Sequence, residues 1–154
     1  MKDLKMITIK RTNSNDDDFQ HLVNDLDGEL ANRNGETNAF FVQYNKIDQI
    51  KNVVIAFNDN IPVGCGAMKA YDDKTMEIKR MFVQFEMRGK GVAVAVLQDL
   101  EKWAKELGYD KCVLETGDKM PEAISLYKKS NYKVIPNYGQ YQNIESSICF
   151  EKEL

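Results

Sequence analysis

Histidine is nearly missing from this chain of 154 residues: His21 stands alone. One imidazole cannot build a zinc site that needs several, or a triad that needs a second. The three cysteines, Cys65, Cys112 and Cys149, share no metal-ligand spacing and fall inside apolar strand-like runs, so buried reduced thiols and no metal are expected. Proline is held to three residues, and no apolar run approaches the length of a membrane span. No Lys- and Arg-rich cluster accompanies the net charge of −3, which argues against a nucleic-acid partner. Met1-Lys2-Asp3-Leu4-Lys5 lacks the apolar core of a secretory signal, so a cytoplasmic location without membrane attachment is expected. With no repeat, linker or low-complexity tract, 1–154 reads as a single domain.

What is present is the patterning of a folded α+β domain, with 43% apolar and 29% charged residues. Met6 to Arg11 alternates as an opening strand. Asn15-Asp16-Asp17-Asp18 offers cap oxygens to a helix whose buried stripe is Phe19, Leu22, Val23, Leu26 and Leu30. Ala31 to Thr37 reads as a loop or short irregular helix, and Asn38 to Ile50 as a second helix with unclear ends. Three antiparallel strands follow over 53–57, 61–70 and 75–83, turning at Asn58-Asp59-Asn60 and Asp72-Asp73-Lys74. A long helix then carries Ala93, Val96, Leu97, Leu100, Trp103, Ala104 and Leu107 at intervals of three and four and closes at Gly108. Lys111–Thr116 is the next strand, Pro121 opens a helix to Lys129, and Tyr132–Ile135 and Ser147–Lys152 finish as a strand pair. The order βααβββαβαββ predicts a mainly antiparallel sheet of six to seven strands with helices on both faces.

The strongest local signal is Arg88-Gly89-Lys90-Gly91-Val92-Ala93, set between a strand and the long helix. The first amides of a helix lack internal partners, and the dipole there is positive. Two glycines strip side chains from the turn, so it can cradle a phosphate on main-chain N–H groups, with Arg88 and Lys90 adding charge. A tight turn that happens to use two glycines is the plainer alternative. The P-loop pattern fails because Val92 follows Gly91, and the dinucleotide fingerprint fails because Val94 occupies the third glycine position.

Beyond that turn, four ordered segments resemble the GNAT superfamily of N-acyltransferases. Arg88–Ala93 is similar to its Arg/Gln-x-x-Gly-x-Gly/Ala signature. Glu77–Val83 resembles its fourth strand, Cys112–Thr116 its fifth, and Ala123–Tyr132 its Ala-x-x-Leu-Tyr-x-x-x-Gly-Phe/Tyr segment. The resemblance spans about residues 52 to 151. It implies acetyl-CoA as cosubstrate, an amine of a small molecule or peptide as acceptor, and direct attack in a ternary complex. It also implies a splay between strands four and five that admits the pantetheine arm. A CoA-binding module without catalysis is the alternative, and monomer and homodimer both stay open.

The resemblance assigns the pyrophosphate to Arg88, Gly89, Lys90, Gly91, Val92 and Ala93, and the acetyl and pantetheine groups to Met81, Phe82 and Val83, chiefly through the backbone of Met81 and Val83. Tyr127 matches the tyrosine near the CoA sulfur and is the expected acid. Glu77 matches a position from which family members extend a general base; a solvated strand-end carboxylate balanced by Lys79 or Arg80 is the plainer alternative. With a strand period of two, Glu77, Lys79, Met81 and Val83 are expected on one face and Phe82 on the other. Glu115 is a second carboxylate candidate, for acceptor binding or for fixing the loop 116–118. Tyr138 and Tyr141 are candidates to wall the acceptor pocket or to pack at a subunit contact, and the region 31–43 is a further candidate to shape that pocket. Three positions depart from the common pattern: Ala93 for Gly, Met120 where many members carry Asn, and Asn131 for Gly, which tolerates a left-handed cap. Amino acids, polyamines, aminoglycosides and protein N-termini all remain open as acceptors.

Overall fold

The computed structural model describes residues 5–34 and 49–154. A seven-stranded sheet runs in the order β1-β2-β3-β4-β5-β7-β6. Its strands are β1 (Ile7–Thr12), β2 (Asn52–Asn58), β3 (Ile61–Ala70), β4 (Thr75–Val83), β5 (Lys111–Gly117), β6 (Lys133–Ile135) and β7 (Ser147–Glu153). Every neighbouring pair is antiparallel except β4 with β5. Three helices are described: α1 (Asp17–Asn34), α2 (Val92–Glu106) and α3 (Pro121–Lys129). The α+β architecture is as expected. The helix expected over 38–50 lies almost wholly outside the described residues.

Each helix begins where its chemistry allows. Asp16 caps α1, its Oδ1 accepting from the amides of Asp18 (2.9 Å) and Phe19 (3.2 Å). Phe19, Leu22, Val23 and Leu26 of α1 bury against Val53, Ile55, Cys65, Ala67 and Phe82 on one face of the sheet. The helix continues through Asn34, into the stretch from Ala31 expected as a loop or short irregular helix. On the opposite face, Val92, Val96, Leu97, Leu100 and Ala104 of α2 pack on Val54, Val63, Ile78 and Leu114. Leu107, expected in that stripe, is instead the C-cap and stands half exposed, because Gly108 at φ +93° turns the chain away. Asn131 takes φ +72° after α3, and the Tyr132 amide donates back to the Tyr127 carbonyl at 3.0 Å, closing the helix as a left-handed cap does. All three cysteines are buried and unbridged.

Two features of β4 position the site. The first is a bulge. Lys79 pairs with Ala67 and Phe82 with Cys65, so Arg80 and Met81 together oppose Gly66, and Arg80 takes φ +60°. A side chain at Gly66 would meet Met81 Sδ at 2.5 Å and Leu100 and Val96 within 3 Å, so only glycine lets the bulge and α2 approach this closely. The second is a short parallel seam. β4 and β5 pair at Thr75–Lys111, Met76–Cys112 and Glu77–Val113 and at no later described position. Beyond Glu77 the strands part, and the rest of β5 pairs only with β7. This is the splay expected between strands four and five.

The bulge corrects one expectation. Glu77 and Lys79 face the α1 side, where they line a cavity with Leu26 and Leu30. Met81 and Val83, expected beside them, pack instead into the cluster under α2, while Phe82 joins the α1 cluster. One extra residue inverts the alternation from Arg80 onward, as a one-residue slip must.

Candidate active site

Two cavities open at the splay and share the residues between them. The larger, about 390 Å³, runs from the glycine turn to α3 and is lined by Met81, Phe82, Val83, Arg88, Gly89, Gly91, Val92, Ala93 and Tyr127, among others. The smaller, about 110 Å³, is lined by Glu77, Lys79, Arg80, Glu115, Thr116 and Tyr141, with Leu26 and Leu30 from α1. Leu26, Met81, Met120, Ala123 and Tyr127 border both. Every residue expected to hold the cosubstrate borders the larger cavity except Lys90, which sits on the same turn between two lining glycines.

The turn has the form an anion cradle requires. Gly89 and Gly91 take φ +75° and +84°, and a Cβ at either would point into open space. Gly91 is the N-cap of α2 and offers no side-chain cap, so the first amides of the helix face outward without one. Arg88 is less available than expected. Its Nε donates to the Val83 carbonyl at 2.9 Å and its guanidinium pairs with Glu29 of α1 at 2.9 Å. It ties the end of β4 to α1 and lies 5.7 Å over the Phe82 and Phe85 rings. Nothing in the local sequence around Glu29 marks it as a neighbour of this turn; only the packing of α1 brings it there.

Tyr127 stands where the cavities meet. Its ring packs edge-on against Tyr132 and tilted against Phe150, at 5.7 and 5.8 Å between centroids. Its hydroxyl makes no hydrogen bond among the described residues. Burial, with the nearby Glu115 carboxylate, pushes the phenol well above its ordinary pKa, so it carries its proton at neutral pH.

The two carboxylates are held differently. Glu77 Oε2 accepts from the Tyr138 hydroxyl at 2.6 Å, and Oε1 lies 3.8 Å from Lys79 Nζ. Glu115 Oε2 accepts from Ser147 Oγ at 2.6 Å. Burial pushes the Glu115 pKa up to about 7; the Ser147 bond opposes that rise and Glu77 adds to it. Tyr138 thus bonds a carboxylate and is not among the cavity's lining residues, whereas Tyr141 lines it. Edge-on contacts stack Tyr71, Tyr138 and Tyr141, and the Asn137 amide donates to the Tyr141, Ile144 and Ser147 carbonyls, so the β6–β7 loop is fastened over the site. Ser147 and Lys79 were not expected as site residues. Lys79 was legible only as a counter-charge to Glu77, and Ser147 only through the register of β5 with β7.

Among the described residues no group of His, Cys, Asp and Glu can hold a metal ion, and no helix is long and apolar enough to cross a membrane. A sheet splayed after a bulged fourth strand, with a glycine turn at its mouth, is the GNAT-like architecture that the sequence resemblance implies. The acetyltransferase (GNAT) family model matches residues 15–132, and the chain belongs to that family. It is 33% identical over 93 residues to the uncharacterised N-acetyltransferase YsnE of Bacillus subtilis, a match covering 59% of this chain and 62% of that relative. A Klebsiella pneumoniae structure assigned to the acyl-CoA N-acyltransferases superposes with a TM-score of 0.81 and 25% identity, covering 97% of this chain and 98% of that one. The PaiA N-acetyltransferase of Thermoplasma acidophilum, solved in complex with coenzyme A, shares the fold at a TM-score of 0.72 and 19% identity, covering 97% and 100%.

Proposed function

We propose that this protein is an N-acetyltransferase that moves an acetyl group from acetyl-CoA to a primary amine by direct attack in a ternary complex. The observation that carries the reading is the pair of cavities meeting at Tyr127 and Met81, one ending at a glycine cradle and the other at two carboxylates. The family and the coenzyme A complex of the Thermoplasma neighbour support the cosubstrate. So does the turn: positive φ at Gly89 and Gly91 leaves main-chain amides open to a pyrophosphate, with Val92 and Ala93 at the helix start.

Acetyl-CoA supplies an activated acyl thioester. Met81, Phe82 and Val83, which line the larger cavity at the opened edge of β4, would hold its pantetheine arm. Glu115, poised near pH 7, accepts the proton that the acceptor ammonium must lose before its nitrogen can attack. Glu77, clamped by Tyr138, orients that amine, which moves the base role from Glu77 to its neighbour. Tyr127 holds a proton at neutral pH and delivers it to the departing thiolate.

Thiol release from acetyl-CoA with a panel of amines tests the activity, and Tyr127→Phe tests the acid. The variant keeps the ring and its packing but loses the hydroxyl. Its kcat should fall by about 10²-fold or more while acetyl-CoA affinity stays within about twofold by calorimetry. A fall under about threefold, where chemistry limits the rate, would make Tyr127 a packing residue. Tight acetyl-CoA binding with no thiol release on any amine would make the chain a CoA-binding module instead.

A further inference from the structure

The two carboxylates stand on strands that part beside them. Glu77 pairs with Val113 at the last registered position of β4 and β5, and Glu115 lies two residues further along β5. Past that point no described pairing of the two strands fixes one carboxylate against the other. The loop between β6 and β7 does so instead. Near its start the Tyr138 hydroxyl donates to Glu77 Oε2 at 2.6 Å, and at its end Ser147 Oγ donates to Glu115 Oε2, also at 2.6 Å. The spacing of the carboxylates therefore depends on how the chain from 138 to 147 is folded. β6 ends at Ile135 and β7 begins at Ser147, so the sheet ladder does not shape the segment between them.

One side chain gathers that segment. Asn137 is not among the lining residues of either cavity. Its Nδ2 donates to the carbonyls of Tyr141 at 3.1 Å, Ile144 at 3.0 Å and Ser147 at 3.1 Å. A single amide nitrogen thus draws the carbonyls of a ten-residue stretch to one point. Tyr141 lines the smaller cavity, Ser147 carries the hydroxyl that holds Glu115, and Asn137 directly precedes Tyr138. The loop's own bonds, Ile144 amide to Tyr141 carbonyl and Ser147 amide to Ile144 carbonyl, run through the same oxygens. Carbonyls that lose such a donor must find water or another partner, and the loop must shift to let them. We propose that Asn137 is a positioning residue for acyl transfer: without touching substrate, it folds the loop so that Tyr138 and Ser147 hold the two carboxylates at one spacing. This rests on the acetyltransferase reading and adds the residue that sets its carboxylates.

The test follows the pH profile and the acceptor KM of three variants, using the most active amine of the thiol-release panel at saturating acetyl-CoA. Glu115 faces Glu77, Lys79 and Arg80 of β4, Tyr127 of α3, and Tyr141 and Cys149, and all of these stay in place when Ser147 is changed. The Ser147 bond favours the charged carboxylate, so in Ser147→Ala the climb of kcat/KM should level off about one pH unit higher. Tyr138→Phe frees Glu77 and should raise KM on the plateau at least threefold with the inflection in place. Asn137→Ala should show both changes together although it touches neither carboxylate, with acetyl-CoA affinity within about twofold of wild type by calorimetry. Asn137→Ser keeps one donor, should show both more weakly, and decides the matter should Asn137→Ala not fold. Wild-type KM and inflection in the folded Asn137 variant would overturn this proposal and leave the acetyltransferase reading standing. So would either change without the other, an inflection unmoved in Ser147→Ala, or a parallel loss of acetyl-CoA affinity. Wild-type protein that releases thiol with no amine of the panel would overturn both.

Discussion

Glu77 and Glu115 face one cavity from neighbouring strands, yet their environments set them apart. Both oxygens of Glu77 have close neighbours, the Tyr138 hydroxyl at 2.6 Å and Lys79 at 3.8 Å. Glu115 takes a hydrogen bond from Ser147, and burial raises its pKa to about 7. A base works only when deprotonated, so kcat/KM of the wild type should climb with pH to about 7 and then level off. In Glu115→Gln the reaction must wait for neutral amine, and the climb should continue toward the amine's own pKa of about 10. Glu77→Gln should raise KM and keep the wild-type inflection. An inflection that survives in Glu115→Gln and vanishes in Glu77→Gln would return the base role to Glu77. The identity of both carboxylates was legible from strand position and family resemblance. The pKa of Glu115 was not, because desolvation and the Ser147 bond arise from segments distant in sequence.

At the scale of elements, the glycine turn and α2 act as one device. The stripe of Val92, Val96, Leu97, Leu100 and Ala104 anchors the helix, so its N-terminus and Gly91 are held against the mouth of the cavity. Gly91→Val puts a β-branched residue at φ +84° and a side chain into space the cradle leaves open. Acetyl-CoA affinity should fall at least tenfold, about 1.4 kcal/mol, with the far-ultraviolet circular dichroism unchanged. Calorimetry showing wild-type affinity in the folded variant would remove the turn from the binding site. Strand and helix positions were readable because capping residues, Pro121, Gly108 and apolar spacing are local signals. The bulge was not: a period-two reading assumes unbroken pairing, and Gly66 and Arg80 each look ordinary until β3 and β4 are side by side. From that one extra residue come the burial of Met81 under α2 and the shared face of Lys79 and Arg80.

For the molecule as a whole, the site exists because the sheet is incomplete at its middle. β4 meets β5 at three registered positions and then diverges, so the opened strand edges border a cavity rather than each other. Material that fills the opening should stabilise the folded chain, since the unfolded chain has no such opening. Coenzyme A at about a hundred times its Kd should add about 2.7 kcal/mol, which for a chain of this size raises Tm by about 5–10 °C. Differential scanning fluorimetry checks this; no rise at any concentration up to millimolar would argue that the splay does not bind the cofactor.

By itself the sequence determined which segments are strands and helices, and that a side-chain-free turn begins the long helix. The segments and the turn follow from residue type and short-range spacing, which act within a few residues, whereas Glu77, Glu115 and Tyr127 came forward as candidates through the family resemblance. Tertiary structure alone decided which face each residue of β4 presents, that Glu29 takes up Arg88, that Tyr138 clamps Glu77, and that Lys79 and Arg80 share the carboxylates' cavity. Each of those depends on strand register and helix packing between segments distant in the chain, where a shift of one residue reverses the outcome.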